Sequence, residues 1–256
     1  MNRTTIKGQR WYTGGIIPEG QRYPSVTTIL KAIPKGDALV AWAAKVEREM
    51  VISQAALVYQ ELRGKKYGSV KFVMRLKELL TDEKAHQKLL KKAGAIGDQV
   101  HQLIEWTLKA HMMMDKIGPP PEIGDEAKWA FGEFMKWKDA NNLQPRKIEH
   151  FVCCHCHQIA GTVDLLAEVN GKLTACDWKT GKRVYYEALL QNAAYRHCLG
   201  TMYADAPLQG LVLRLPKQIG EPGFEAVDAG DERIYFQKFL HAKKVWEDIQ
   251  DHETNI

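Results

Sequence analysis

The sequence predicts an α/β (α+β) protein with a central mixed β-sheet flanked by helices and a helical elaboration ahead of the sheet. Three observations predict it. Apolar residues recur at helical spacing through residues 25–142, strand-like segments begin near Arg146 with an Asn-Gly turn between two of them, and the remainder alternates helix, strand and helix. A chain of 256 residues suits a single domain, residues 1–256, with a mainly helical part to about residue 142 and a sheet-containing part from about 143 onward.

The opening MNRTTIKGQRWYTGG lacks the apolar core of a secretory leader, and no run approaches the length of a membrane span. Five cysteines, an odd number, make no disulfide framework and suit a reducing compartment. These features predict a soluble protein with no membrane partner, in a bacterial or phage-infected cytoplasm. Hydrophobic content of 45% with 26% charged residues excludes a disordered or membrane-embedded chain. Lys and Arg outnumber Asp and Glu by 36 to 31, which favours a polyanionic partner and equally suits an ordinary basic enzyme surface.

In order along the chain, ALVAWAAKVEREM follows a plausible N-cap at Asp37, and IGDQVHQLIEWTLKAH repeats the same periodicity. GPPPEIGD, residues 118–125, must break the helical run, because proline lacks the backbone donor, and EAKWAFGEFMKWKDANN resumes it. KIEHFVCC, IAGTVDLLAEV and KLTACDWKT are rich in β-branched residues and read as strands. Residues 184–199 read as helix, LQGLVLRL at 208–215 as a buried strand, and ERIYFQKFLHAKKVWEDIQ as a closing amphipathic helix. No internal repeat or low-complexity tract interrupts this order.

Asn170-Gly171 between two strand-like runs signals a two-residue type I′ hairpin. That turn sets Val169 opposite Lys172, and the same register extended outward sets Asp164 opposite Asp177, on one face with Lys179. Like charges opposed across a ladder repel, so two aspartates there need compensation. A hard divalent cation supplies it and, beside a lysine, can act on a phosphate. The alternative is a solvated hairpin face with Lys179 as a salt-bridge partner.

Gly161-Thr-Val-Asp164 followed after a hairpin by Asp177-Trp-Lys179-Thr-Gly resembles the core of the PD-(D/E)xK nucleases, and more narrowly their RecB-type branch. That branch also carries a Gly-x-x-x-His helix, matched by Gly97 and His101, and a later Gln-x-x-x-Tyr helix, matched by Gln191 and Tyr195. The segment from Arg22 through Tyr23, Ser25 and Thr27 to Leu30 is similar to the opening of phage and mitochondrial genome maintenance exonucleases. The resemblance implies a restriction-endonuclease-like core, with Asp164, Asp177 and Lys179 catalytic. It implies a metal held by His101, Asp164, Asp177 and the backbone carbonyl of Trp178. Gln191, Tyr195, Glu149, Ser25 and Thr27 become candidates for bracing the site or contacting DNA. A hydrogen-bonded core histidine and ordinary tyrosine packing are the structural alternatives for His101 and Tyr195.

The cofactor implied is Mg2+ or Mn2+, the imidazole favouring the softer ion. No iron-sulfur cluster is expected: some RecB-type nucleases hold one with one cysteine before the core and three after, whereas here only Cys198 follows it. Val163 stands where the family's namesake proline would be. The CCHCH run, residues 153–157, reads as a mixed buried and exposed hairpin end rather than a zinc site. Structural zinc draws on spaced ligand pairs, and consecutive strand residues point to both faces.

The activity implied is metal-dependent DNA exonuclease action on single-stranded or end-opened DNA in replication, recombination or repair, leaving 5′-phosphate and 3′-hydroxyl ends. Helices between Asp37 and His101 could roof the site, with Lys35, Lys45, Lys65, Lys66, Lys91 and Lys92 along the passage, although scattered helix lysines are usually a solvated surface. The rivals are a structure- or sequence-specific endonuclease with the same chemistry and a non-catalytic DNA-binding recombination accessory. The intact acidic and lysine set argues against the last.

Overall fold

The computed structural model describes residues 1–34, 36–64, 68–80, 83–112, 117–203 and 208–254. Contacts divide the chain into two compact units, Met1–Ile33 with Ile96–Ile256, and Pro34–Ala95. Lys35, Lys65 and Lys66 lie outside the described residues.

The first unit opens with a three-stranded antiparallel sheet in the order β1 (Asn2–Ile6), β2 (Gln9–Thr13), β3 (Tyr23–Pro24). Lys7 and Gly8, with φ of 48° and 73°, make the tight turn between the first two strands. This sheet lies within the part expected to be mainly helical. Strand β1 is exposed along its whole length, so no apolar alternation announces it. Helix α1 (Val26–Ile29) follows, capped by Ser25, whose Oγ accepts from the Thr28 backbone N–H at 3.0 Å.

The second unit contains α2 (Asp37–Leu62), α3 (Ser69–Leu79) and residues 85–95 of α4 (Ala85–His111). Within it, His86 Nδ1 lies 2.7 Å from Glu47 Oε1 and the His86 ring meets Trp42 edge-on. Lys45 pairs with Glu49 at 3.7 Å and Lys91 with Glu83 at 2.5 Å, so these two passage lysines are already ion-paired at the surface of their own unit.

Residues 96–111 of α4 and then α5 (Asp125–Ala140) belong to the first unit and precede its larger sheet. That sheet has five strands in the order β4 (Gln144–Cys154), β5 (Ile159–Val169), β6 (Lys172–Thr180), β7 (Gln209–Leu215), β8 (Glu225–Asp228). All neighbours are antiparallel except β6 and β7, whose parallel pairing requires a crossover, supplied by α6 (Tyr186–Met202). Helix α7 (Glu232–Thr254) closes the chain.

Each face of the sheet buries its own core. Leu190, Ala193 and Leu199 of α6 and Phe236, Phe239 and Trp246 of α7 pack on Val152, Val163, Leu166 and Ala175. Val100, Ile104 and Leu108 of α4 and Phe134 and Trp137 of α5 pack on Leu165, Cys176, Trp178 and Leu213. Strand β6 therefore alternates Ala175 to one side and Cys176 and Trp178 to the other, and its sequence is apolar on both faces. Asn192, buried on α6, donates through Nδ2 to the Ala175 carbonyl at 2.9 Å and fixes the helix against β6 two residues before Asp177. Among the described residues no helix is long and apolar enough to cross a membrane.

Candidate active site

The hairpin sets the geometry. Asn170 and Gly171 have φ of 49° and 77°, as a type I′ turn requires, and the ladder runs from Val169↔Lys172 to Leu165↔Cys176. One step beyond that ladder, Asp164 and Asp177 come together. The Asp164 Oδ2 accepts from the Trp178 backbone N–H at 2.7 Å. Asp177 is only 1% exposed, so the face is not a solvated one. Its Oδ1 accepts from Gln191 Nε2 at 3.2 Å, its Oδ2 lies 2.6 Å from Lys179 Nζ, and Gln191 Nε2 also donates to the Tyr195 hydroxyl at 3.0 Å. Four residues apart on α6, Gln191 and Tyr195 share one helical face and hold the aspartate from behind.

Two glycines permit these approaches. A Cβ on Gly97 would lie 2.9 Å from Thr180 Oγ1, so glycine there lets α4 come against the end of β6. One turn later on the same face, His101 places Nε2 3.2 Å from the Trp178 carbonyl oxygen and Nδ1 3.8 Å from Asp164 Oδ2. A Cβ on Gly161 would fall 2.4 Å from Tyr195 Cε1, so the start of the Gly-Thr-Val-Asp segment must be bare for the tyrosine to lie behind it.

Opposite Asp164 on β4 stands Glu149, between the pairs Ile148↔Leu165 and His150↔Val163, with φ of 46°. A non-glycine residue in the left-handed region costs on the order of 1–3 kcal/mol and is retained where its surroundings enforce it. Here it reverses the alternation. Ile148 and Leu165 pack toward α4 and α5, whereas Val152 and Val163 pack toward α6 and α7. The twist brings a carboxyl from β4 within 4.8 Å of ligand atoms on His101 and Asp164.

His101, Glu149, Asp164, Lys179, Gln191 and Tyr195 line a polar cleft of about 530 Å³ that also receives Arg3, Arg10, Thr27, Gln102, Glu105, Thr162 and Thr180, with Asp177 buried beneath it. Burial, reinforced by Asp164, raises the Asp177 carboxyl to about 6 against the lowering pull of Lys179. Glu149 is exposed as a residue, yet its carboxyl is enclosed by the cleft. That enclosure, with the carboxylates of Asp164 and Glu105, pushes it up to about 7. Burial disfavours the Lys179 ammonium, but Asp177 and Asp164 prevail and hold it above its ordinary value. Burial, then the charge of Asp177, raises the Tyr195 phenol, so it stays neutral.

The structure thus brings His101, Glu149, Asp164, Asp177, Trp178, Lys179, Gln191, Tyr195 and Thr27 together. Ser25 is buried behind them, capping α1 and meeting Thr27 Oγ1 at 3.0 Å, and reaches the cleft only through that neighbour. Sequence reasoning missed Arg3 and Arg10, which arrive on strands it did not assign, and Glu105, one helical turn beyond His101 on the same face and legible from that spacing.

The donors fit a hard divalent cation. Asp177 Oδ2 is buried and is met at 2.6 Å by the Lys179 ammonium. His101, Glu149 and Asp164 bring ligand atoms within 4.8 Å of one another, a group that Asp177 does not join, and carboxylate oxygen with imidazole nitrogen are the donor types of Mg2+ and Mn2+ centres.

Fold and cleft define the class: an α/β protein whose central strands present carboxylates and a lysine, and a helix an imidazole, to one polar cleft. The PD-(D/E)XK nuclease superfamily model matches residues 69–256, well over half of the chain, and the chain belongs to that superfamily. No curated protein matches it. Among solved structures, it is similar to a Eubacterium rectale protein provisionally assigned as an exonuclease, at 16% identity and a TM-score of 0.41, over 79% of this chain and 84% of that one.

Proposed function

We propose that the chain is a metal-dependent DNA exonuclease acting on single-stranded or end-opened DNA in replication, recombination or repair. In this reading Asp164, Asp177 and Lys179 are catalytic, and His101, Asp164, Asp177 and the Trp178 carbonyl hold Mg2+ or Mn2+. The observation that carries the proposal is the convergence of side chains from α4, β5 and β6 on a single cleft in a nuclease fold.

Held by these residues, a divalent cation would neutralise the attacked phosphate and lower the pKa of a water. Lys179 Nζ orients that water and stabilises the charge developing on the phosphoryl oxygens. Gln191, itself held by the Tyr195 hydroxyl, fixes the Asp177 carboxylate through Oδ1. Arg3 and Arg10, which also line the cleft, can pair with flanking phosphates without reading sequence. Water adds to phosphorus, the bond to the 3′ oxygen breaks, and the products carry 5′-phosphate and 3′-hydroxyl ends. Action from an end rests on the resemblance of residues 22–30 to exonuclease openings.

The test is digestion of end-labelled linear single-stranded, duplex and circular DNA with Mg2+ or Mn2+. Linear DNA is shortened to small products while the matching circle survives. Cutting of the circle at the linear rate replaces the exonuclease reading with an endonuclease one, and no cutting of any substrate returns the chain to the accessory class.

A further inference from the structure

We propose that Cys154, Cys156, His157 and His197 form a second metal site, a structural centre for zinc that shares no residue with the cleft. On sequence alone the run 153–157 argues against zinc, since neighbouring strand residues diverge. The structure alters that premise, because β4 ends at Cys154 and the following residues form a turn that closes with Gln158 at φ of 50°. The turn sorts the five candidates. Cys153 joins the small core around Tyr12 and Tyr23, and His155 Nδ1 lies 3.0 Å from the Tyr23 hydroxyl. Cys156 and His157 turn back beside Cys154 instead.

The fourth donor comes from a distant part of the chain, on α6. Ligand atoms of Cys154, Cys156, His157 and His197 all lie within 4.8 Å of one another, and the two sulfurs are 3.0 Å apart. A tetrahedral zinc with sulfur ligands at 2.3 Å separates them by roughly 3.7 Å, so the site closes on an ion with a small opening of the thiol pair. Two sulfurs with two imidazoles select zinc over the hard ions suited to the cleft.

The surroundings resemble those that orient metal-binding histidines. His197 Nδ1 lies 3.1 Å from Glu232 Oε1, which fixes the tautomer and leaves Nε2 for an ion. The His197 ring stacks on Phe236 with centroids 3.7 Å apart, and His157 packs edge-on against both rings. On binding, both thiols release their protons to solvent and become thiolates, which balance the ion's two charges. The centre then ties the β4–β5 turn to α6 and α7.

The test uses the full chain purified under reducing conditions, with zinc measured after dialysis and Co2+ exchanged in its place. The wild type and Asp177→Asn carry an equimolar amount of zinc, and the Co2+ form shows tetrahedral d–d bands with thiolate charge transfer, which a cleft of oxygen and nitrogen donors cannot give. Cys156→Ser and His197→Ala lose both signals. Glu232→Gln, a surface change that tests the proposal even if the ligand variants fold poorly, weakens zinc binding by about 10–100-fold. Wild-type protein without the thiolate band, a Glu232→Gln affinity equal to wild type, or isolation of Cys154 and Cys156 as a disulfide each overturns the proposal.

Discussion

Replacing Gly161 with alanine tests how the carboxylate site is held. The new Cβ would stand 2.4 Å from Tyr195 Cε1, whereas ordinary contact begins near 3.4 Å, so the ring must retreat by about 1 Å. Tyr195 is 4% exposed and packed among Val163, Leu190 and Ala194, so the retreat is overpacking in a dense core, at about 1–3 kcal/mol. Losing the Gln191–Tyr195 hydrogen bond adds about 1 kcal/mol. The expected total is about 2–4 kcal/mol, a fall in Tm on the order of 5–15 °C for a chain of this size. Cleavage should also drop at temperatures where the variant remains folded, because Gln191 no longer holds Asp177 from a fixed position. Thermal denaturation followed by circular dichroism, in single variants and in a Tyr195→Leu background, reads the coupling directly. With the ring gone, Gly161→Ala should cost under about 0.5 kcal/mol. An equal cost in both backgrounds would falsify the contact argument.

Asp177→Asn should lower cleavage by at least about a thousandfold while end-labelled DNA still binds by fluorescence anisotropy, since a cation ligand is lost but negative charge near the phosphates is relieved. Cleavage at the wild-type rate removes Asp177 from the chemistry. His101→Ala should reduce activity and change the ratio of Mn2+ to Mg2+ rates, because it deletes the cleft's nitrogen donor. Full activity with an unaltered metal profile makes His101 a core histidine. Raised carboxyls, Glu149 to about 7 and Asp177 to about 6, hold protons that a cation must displace. Apparent metal affinity should therefore climb between about pH 5 and pH 8 and flatten above, and Glu149→Gln should move the midpoint lower. Calorimetry in two buffers of different ionisation enthalpy reports the released protons, and a pH-independent affinity contradicts the assignment.

The hairpin was legible because Asn170-Gly171 fixes a register by local geometry alone, and that register brings Asp164 to Asp177 without tertiary information. Composition located β5 and β6, which are rich in strand-forming residues, and periodicity located α5 and α7, whose buried faces leave a pattern. The N-terminal sheet was not legible. Strand β1 is exposed on both faces and Tyr23–Pro24 is too short to register, so Arg3 and Arg10 had no predicted address. Nor does any local rule place Glu149 at positive φ, a conformation that tertiary context imposes. His197 escaped for a related reason: its partners are 40 residues upstream, and only the crossover through α6 brings them together.

Strand β6 is hydrogen-bonded to β5 on one side and to β7 on the other, the latter pairing running through Asp177↔Val212 and Lys179↔Arg214. Shifting either catalytic candidate means disrupting a ladder that both face-cores clamp. The remaining lining is made differently, from His101 on a helix and from Arg3 and Arg10 on the β1–β2 hairpin, whose first strand is exposed. Compliance is therefore distributed unequally around the cleft. Thermal motion falls on β1, exposed along its length, whereas α4 is pinned by Val100, Ile104 and Leu108 and β6 by its two ladders. Amide exchange should report this directly, slowest along β6 and fastest along β1, in one and the same binding site.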